Sequence, residues 1–282
     1  ATEGLKAYSG YSSAVNILSA SGTAVYKAQP TTANSLSGNQ TVVALNLNTG
    51  SGSLSVGGLG GLNPSVLTIS SGAVLVNGTG TAATLAVPVI SLGGTEGIFH
   101  VVGGKTLTVT SGITGSGGFT KSLGGAVNFD GLQFYTGSTY VNGGTLRLKE
   151  NAANTLLPNN NLSIGENATL DLFGGAQYIQ NLSSVGAGGA LITRSGTVTN
   201  TGSQQAVLVA NANSSFSGAM TGDIFFSKTG GNNLNANTAL AYTGPTLISG
   251  GQLVLLDNGS ILGTSATTVD RGQLTINNNS TF

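Results

Sequence analysis

One segment of this chain occurs twice, at residues 117–148 and again at residues 224–255. Five landmarks align without a gap and at one constant offset: Phe119 with Phe226, Lys121 with Lys228, Gly124 with Gly231, Tyr135-Thr136-Gly137 with Tyr242-Thr243-Gly244, and Gly143-Gly144 with Gly250-Gly251. A repeat at a fixed period is typical of stacked architectures, in which each unit buries its apolar face only against its neighbours. The repeat therefore predicts a stacked fold.

Composition excludes both disorder and collagen as the basis of so repetitive a chain. Only 6% of the 282 residues are charged, whereas ordinary globular domains carry roughly 25%. The net charge of zero and the mean hydropathy of +0.22 differ from the low hydrophobicity and high net charge of disordered chains. The 46 glycines have no three-residue period and there are only five prolines, which excludes collagen. We therefore predict a β protein rich in Gly, Ser, Thr and Asn.

Several classes of site and partner are excluded by what the chain lacks. It has no cysteine, so it forms no disulfide or thiolate metal site; this fits simple absence and export through a disulfide-sensitive route equally well. No run of about 18 apolar residues predicts a membrane-spanning helix, so membrane attachment would need a separate anchor. The chain starts at Ala1 without a signal-like segment, and we expect any signal peptide to have been removed. Its neutral charge disfavours nucleic acid as a partner.

A short strand motif, G-x-L-x-L, recurs along the chain. Its alternation with period two places both apolar residues on one face of a strand and the intervening residue on the other. Within the first unit the motif recurs from Leu146 to Leu170, and within the second from Leu253 to Leu274. Both intervals suit one coil of a β-solenoid. The motifs and their variants occupy residues 52–56, 105–109, 144–148, 168–172, 251–255 and 272–276.

These patterns predict an all-β fold, namely a parallel β-helix, with a β-sandwich as the alternative. Helical periodicity is almost missing, and only residues 149–157 could form one helical turn. With about 21–24 residues a coil the chain gives about 12–13 coils, and parallel strands stacked about 4.8 Å apart give a rod of roughly 60 Å. We divide the chain into an N-terminal cap segment, residues 1–41, and a β-helix, residues 42–282, with repeat units at about 113–172 and 222–276.

Three phrases of the first unit, at residues 113–131, 135–148 and 162–172, resemble the autotransporter-associated β-strand repeat. This repeat is found in the passenger regions of bacterial type V secreted proteins. The second unit is similar but less regular. The resemblance implies a right-handed parallel β-helix, export across two membranes and display at the cell surface.

Carboxylate pairs that would serve sugar chemistry or bind calcium are missing from the pattern, because no two acidic residues are adjacent or two apart. Asp130, Glu150 and Asp171 recur at nearly equal intervals, each close to one coil, which could stack them on one face. Arg147 and Asp171, however, both hold the outward position of the strand motif. We therefore expect a surface salt bridge between neighbouring coils, which typically contributes well under about 1 kcal/mol, in preference to a cation or sugar site.

The remaining candidates also favour structural roles. His100 is the only histidine, and without a G-x-S-x-G motif it is expected to be structural rather than catalytic. Lys121 and Lys228 are interpreted as solvated outward residues that discourage edge pairing, rather than as a ligand-contacting row. Tyr135 and Tyr242 are expected to cap the apolar interior with the hydroxyl reaching solvent. We predict no catalytic residue, no cofactor-binding residue and no metal site.

The function that these observations favour is that of an extracellular, non-enzymatic β-helical passenger segment that mediates adhesion or cell–cell aggregation at the bacterial surface. Its expected partners are a host or neighbouring-cell surface, glycans or matrix, and further copies of the rod. Many weak contacts along a long face would supply avidity without a strong single site. Two alternatives remain: a structural subunit of a surface filament or matrix fibre, and a polysaccharide-active β-helix enzyme.

Overall fold

The computed structural model describes Ile17 and residues 22–29, 34–185, 196–211 and 213–278. Over these residues the chain is all-β and winds as a β-solenoid of about 11 turns without an α-helix. Neighbouring described strands pair in parallel along the solenoid. The predicted parallel β-helix is therefore confirmed, and the β-sandwich alternative is wrong.

The strands follow one another in a fixed cycle, so that each turn adds one strand to each of three faces. Face 1 begins as an eight-stranded sheet of β1 (Val25–Ala28), β4 (Ala44–Asn48), β7 (Ala73–Asn77), β10 (Gly97–Val101), β13 (Phe119–Ser122), β16 (Thr139–Val141), β18 (Asn161–Gly165) and β21 (Asn181–Val185). It continues, through a hydrogen bond from the Ser214 hydroxyl to the Leu182 carbonyl, as β24 (Ser214–Phe216), β27 (Asn233–Ala236), β30 (Gln252–Asp257) and β32 (Gln273–Asn278).

Face 2 is one continuous ten-stranded sheet. It consists of β2 (Ser35–Leu36), β5 (Leu54–Gly58), β8 (Ala82–Ala86), β11 (Thr106–Val109), β14 (Ala126–Phe129), β17 (Gly144–Arg147), β19 (Ala168–Asp171), β22 (Thr197–Thr199), β25 (Ala219–Gly222) and β28 (Leu240–Tyr242).

Face 3 is built from two five-stranded sheets. The first contains β3 (Gln40–Val42), β6 (Val66–Ile69), β9 (Val89–Ser91), β12 (Gly112–Gly115) and β15 (Phe134–Tyr135). The second contains β20 (Ala176–Ile179), β23 (Ala206–Ala210), β26 (Ile224–Lys228), β29 (Thr246–Ile248) and β31 (Thr267–Val269). Between the two, the bridge from Ala153 to Ala176 carries the face across one irregular turn.

Alternation along each strand builds the core, because successive side chains point to opposite sides of a sheet. In β11, Leu107 and Val109 are fully buried, whereas Thr106 and Thr108 lie on the outside. Burial of such Leu and Val side chains stabilises the fold by roughly 1.5–3 kcal/mol each. Inward residues of successive turns stack on one another, so a single apolar core follows the whole described solenoid.

The number of residues in a turn varies along the solenoid. Stacked partners are 29 residues apart at Asn48 and Asn77, 22 apart at His100 and Ser122, and 20 apart at Asn161 and Asn181. The predicted number of coils is therefore too high, because the early turns are longer than the strand motif suggested. About 11 turns at about 4.8 Å give a stack of about 50 Å. The one-coil intervals of the motif are confirmed, since Leu146 pairs with Leu170 on face 2 and Leu253 with Leu274 on face 1.

The two copies of the repeat are wound onto different faces. The Phe-x-Lys strand of the first copy is β13 on face 1, but its counterpart in the second copy is β26 on face 3. Likewise β17 on face 2 corresponds to β30 on face 1. The repeat is thus displaced by one face. This displacement is tolerated because every face buries the same alternating side of its strand.

The double glycine of the repeat has a steric cause. Gly144 has a φ of 63°, and a Cβ there would lie 2.1 Å from the Gly125 carbonyl oxygen. Its counterpart Gly251 has a φ of 59°, and a Cβ would lie 2.0 Å from the Asn232 carbonyl oxygen. Only glycine adopts this backbone without strain, so these corners allow successive turns to approach closely.

Residues 149–157 do not form the helical turn that we expected. They form an irregular segment in which Asn151 and Asn154 have φ values of 51° and 50°, a left-handed backbone that interrupts a right-handed helix. The boundary between a cap segment and the β-helix at residues 41 and 42 stays a prediction. The described strands β1 and β2, which precede that boundary, already pair with β4 and β5.

Candidate functional site

Lys121 is the most unusual of the repeated residues, because its side chain is fully buried. Phe119 and Lys121 share the inward parity of β13, so the lysine stem lies in the core and the ammonium reaches the corner between faces 1 and 2. There Nζ donates hydrogen bonds to the carbonyl oxygens of Ser122 at 2.9 Å, Leu123 at 2.7 Å and Gly143 at 2.9 Å. An ammonium has three donors, and all three are used.

Lys228 repeats this arrangement at the corner that follows β26 on face 3. It is also fully buried, and its Nζ donates to the carbonyl oxygens of Asn211 at 3.2 Å, Thr229 at 2.5 Å and Gly250 at 3.3 Å. Each lysine therefore ties the corner of its own turn to a neighbouring turn. We call this arrangement the lysine clamp.

Burial changes the acid–base behaviour of both clamps. Desolvation lowers the pKa of Lys121 from 10.5 to about 8 and lowers the pKa of Lys228 as well, since an apolar surrounding disfavours the charged form. At neutral pH the Lys121 amine is still protonated, which is the state that supplies three donors. The prediction that Lys121 and Lys228 are solvated outward residues is wrong, and a ligand-contacting row is excluded because the lysines are buried on different faces.

The repeated tyrosines are also internal. Tyr135 and Tyr242 are buried, and each hydroxyl bonds to the hydroxyl of a buried threonine four residues later, Thr139 and Thr246 respectively. Burial raises the pKa of both phenols, that of Tyr242 to about 12. The expectation that these hydroxyls reach solvent is wrong. The threonines were missed, although the sequence Tyr-Thr-Gly-x-Thr occurs in both copies and carried the signal.

His100 lies on the outside of β10, where Nδ1 is 2.5 Å from the Ser122 hydroxyl of the next turn. Within the described part of the chain no carboxylate bonds to this imidazole, so nothing there orients it as a triad would require. The Ser122 hydroxyl moreover belongs to the strand that carries the lysine clamp. This geometry fits a cross-strand contact that links two turns of face 1.

Arg147 and Asp171 are register partners on neighbouring turns, as the strand motif predicted. The Arg147 Nε atom is 3.9 Å from Asp171 Oδ2, and the guanidinium carbon lies 4.5 Å from the centroid of the Phe173 ring. The pair is not symmetric in exposure, because the arginine side chain is 36% exposed and that of the aspartate only 6%. Asp130 and Glu150 do not join Asp171 in a stack, since the register sets Asn128 and Arg147 in line with it.

Asp171 is held by backbone and hydroxyl donors more than by the arginine. Its Oδ1 accepts from the amides of Phe173 at 3.1 Å and Thr201 at 3.0 Å, and Oδ2 accepts from the Thr201 hydroxyl at 2.6 Å. The carboxylate thus joins the turn after β19 to the turn above it. It acts as an anchor for the corner, with the ion pair as a lesser contribution.

The outer surface of face 2 is regular and nearly free of charge. Two rows of side chains follow the solenoid, and apart from Arg147 and Asp171 they contain only Thr, Ala and Asn. Both rows span seven strands, or about 30 Å. Row A consists of Ala82, Thr106, Ala126, Thr145, Thr169, Thr197 and Ala219. Row B consists of Thr84, Thr108, Asn128, Arg147, Asp171, Thr199 and Thr221.

Metal ligands and membrane helices are both missing from the part of the chain that the structure describes. There, no three His, Cys, Asp or Glu side chains converge as metal ligands would. In the same residues no helix has the length and apolar character needed to cross a membrane.

Comparison with known proteins finds a relative among bacterial surface proteins. Over 192 residues the chain is 32% identical to the Adhesin BmaC autotransporter of Brucella suis biovar 1 (strain 1330). This chain is similar to an autotransporter adhesin. The matched region covers 66% of the chain but only 5% of the relative. Together with the β-solenoid fold, the similarity confirms the resemblance to autotransporter passenger repeats. No protein-family model matches the chain, and no solved structure matches it significantly.

Proposed function

We propose that this chain is a non-enzymatic β-helical passenger segment, displayed outside the bacterial cell, that mediates adhesion or cell–cell aggregation. The observation that carries the proposal is the match over 192 residues to an autotransporter adhesin. The charge-poor outer face 2 is consistent with it, because rows of small hydroxyls and methyls offer many weak contacts along one direction. Contacts of this kind gain strength by multivalency.

The residues that the repeat holds in common support the non-enzymatic part of the proposal. Lys121, Tyr135 and their counterparts in the second copy are enclosed in the core and bonded to the protein itself. They therefore contribute to winding and stacking. The partners that we propose are host or neighbouring-cell surfaces, their glycans or matrix, and further copies of the rod.

The test is surface display of the whole chain on a non-adherent bacterium. We expect displaying cells to settle faster, or to bind cell layers and matrix-coated wells in greater number, than cells displaying an unrelated β-solenoid of similar length. Equal settling and equal binding by the two strains would contradict the proposal. Regular fibres formed by the purified chain, without any gain in adhesion, would favour the alternative of a filament subunit.

A further inference from the structure

We propose that face 2 binds a carboxylate-bearing polysaccharide, with Arg147 pairing with the carboxylate and the threonines of rows A and B bonding to the sugar hydroxyls. The inference rests on the proposed adhesive function, because it names the class of ligand that such a face would take.

Arg147 carries the inference because its guanidinium is held in place while its donors remain available. The group lies 4.5 Å from the Phe173 ring centroid, and 36% of the side chain is exposed. Its approach to Asp171, at 3.9 Å, is an ion pair beyond hydrogen-bond distance. Among the described residues the guanidinium forms no hydrogen bond, although it has five N–H donors in a planar fork. A planar fork of this kind matches the two oxygens of a carboxylate.

Asp171 does not consume the arginine, because its own oxygens are already occupied. Both accept hydrogen bonds from the turn at Thr201, and Oδ1 also accepts from the Phe173 amide. The aspartate is fixed in this way on the Nε side of Arg147. The rest of the fork is left for a ligand, and the Phe173 ring limits the directions in which it can turn.

The charge of the face selects a sparsely charged polymer over a densely charged one. Nucleic acids and heavily sulfated chains bind through many basic side chains at once, but Arg147 is the only basic residue in rows A and B. The nearest other cation in sequence, Lys149, donates its Nζ to the Asp130 carbonyl at 2.6 Å. A uronate polymer combines one carboxylate in each sugar with neutral hydroxyls, and this matches one arginine set among threonines.

The neighbours of Arg147 suit the neutral part of such a sugar. Thr145 and Thr169 lie beside the ion pair in row A, and Asn128 precedes the arginine in row B. All three are half-buried, so their polar atoms are held on a flat surface. Hydroxyl and amide groups both donate and accept hydrogen bonds, as sugar hydroxyls do.

The test measures binding of the purified full chain to sodium polygalacturonate and to the same polymer after full methyl esterification. We expect binding to the acid form only. Arg147→Gln should weaken it about tenfold to a hundredfold, because charge-assisted hydrogen bonds are lost, and Arg147→Lys should restore part of it. Phe173→Leu should weaken binding to a smaller extent, since it removes the ring against which the arginine packs.

Arg271→Gln is the matched control, because this side chain is 85% exposed beside Asp270, away from face 2, and binding should stay unchanged. Equal binding of both polymer forms, or equal binding by Arg147→Gln and the parent with unchanged circular dichroism, would overturn the inference. Loss of polymer binding with surface-displayed adhesion intact would reject this ligand alone. Loss of adhesion as well would reject the proposed function.

Discussion

Replacing Lys121 by methionine tests the lysine clamp directly, because methionine keeps an unbranched apolar stem and removes the three donors. The carbonyl oxygens of Ser122, Leu123 and Gly143 would lose their partner inside a corner. A buried acceptor left unpaired costs about 1–3 kcal/mol. Allowing for relaxation and water entry, we expect Lys121→Met to lower the free energy of unfolding by about 3–5 kcal/mol, the loss typical of removing one partner of a buried charged group.

Lys105→Met is the matched control for this substitution. Lys105 is half-buried and its Nζ donates to a single carbonyl, that of Gly80, at 2.7 Å. Its loss should cost about 1 kcal/mol or less. The assay is urea unfolding followed by circular dichroism, combined with hydrogen exchange of the amides in β13 and β16, because stacked repeats do not always unfold as one unit. Equal losses for the two variants would refute the clamp.

The same pair of proteins predicts a pH dependence. The unfolded lysine keeps its proton up to a pKa of 10.5, whereas the folded Lys121 gives it up near a pKa of about 8. Between these values the unfolded state binds more protons, so the stability that this group contributes rises with pH. The difference in free energy of unfolding between the parent and Lys121→Met should therefore widen over this window. A constant difference would contradict the lowered pKa.

Three further substitutions give sharp expectations for unfolding measurements. Tyr135→Phe should cost about 1–2 kcal/mol, because the buried Thr139 hydroxyl loses its partner at 2.7 Å, and no loss would argue against this bond. Leu123→Gly should stabilise by up to about 1 kcal/mol, since a 48% exposed leucine holds a φ of 64°, and destabilisation would refute the strain. Gly144→Ala should cost more than about 2 kcal/mol, whereas Gly103→Ala, where a Cβ meets nothing within 4 Å, should be nearly neutral; equal costs would exclude the steric reason.

The sequence predicted much of the winding, because alternation and coil length are local properties. The partnership of Leu146 with Leu170, and that of Arg147 with Asp171, followed from counting residues between equivalent strand positions. The number of turns was overestimated, because the longer early turns contain loops that carry no strand motif. The loop from Leu59 to Ser65, closed by a backbone hydrogen bond of 2.8 Å, is one of these.

The lysine clamp could not be predicted with the same ease. The parity of Phe119 and Lys121 pointed inward, but the cost of burying a charge pointed outward, and we followed the charge. The compensating carbonyls come from the turn at Leu123 and from Gly143 in the next coil, so they exist only after the chain has wound. A usable signal was present: Leu123 aligns with Gly230, and both adopt a left-handed backbone.

The displacement of the second copy onto another face also lies outside what one sequence shows. The constant offset between the copies fixes the order of strands but not the number of residues in each intervening turn. Turns of unequal length are enough to shift a repeat by one face. The outward side chains, on which an adhesive surface depends, are for that reason not the ones that the repeat holds in common.

Disulfide trapping tests the central claim, a three-faced parallel solenoid, most directly, and the chain has no cysteine of its own to interfere. Thr145 and Thr169 are register partners on adjacent strands of face 2, about 4.8 Å apart. Thr106 is two strands away from Thr145 in the same row, about 10 Å away, beyond the reach of a disulfide. The solenoid predicts rapid oxidation of T145C/T169C and none of T106C/T145C within the monomer. Equal trapping of both pairs, or trapping of the second alone, would contradict it.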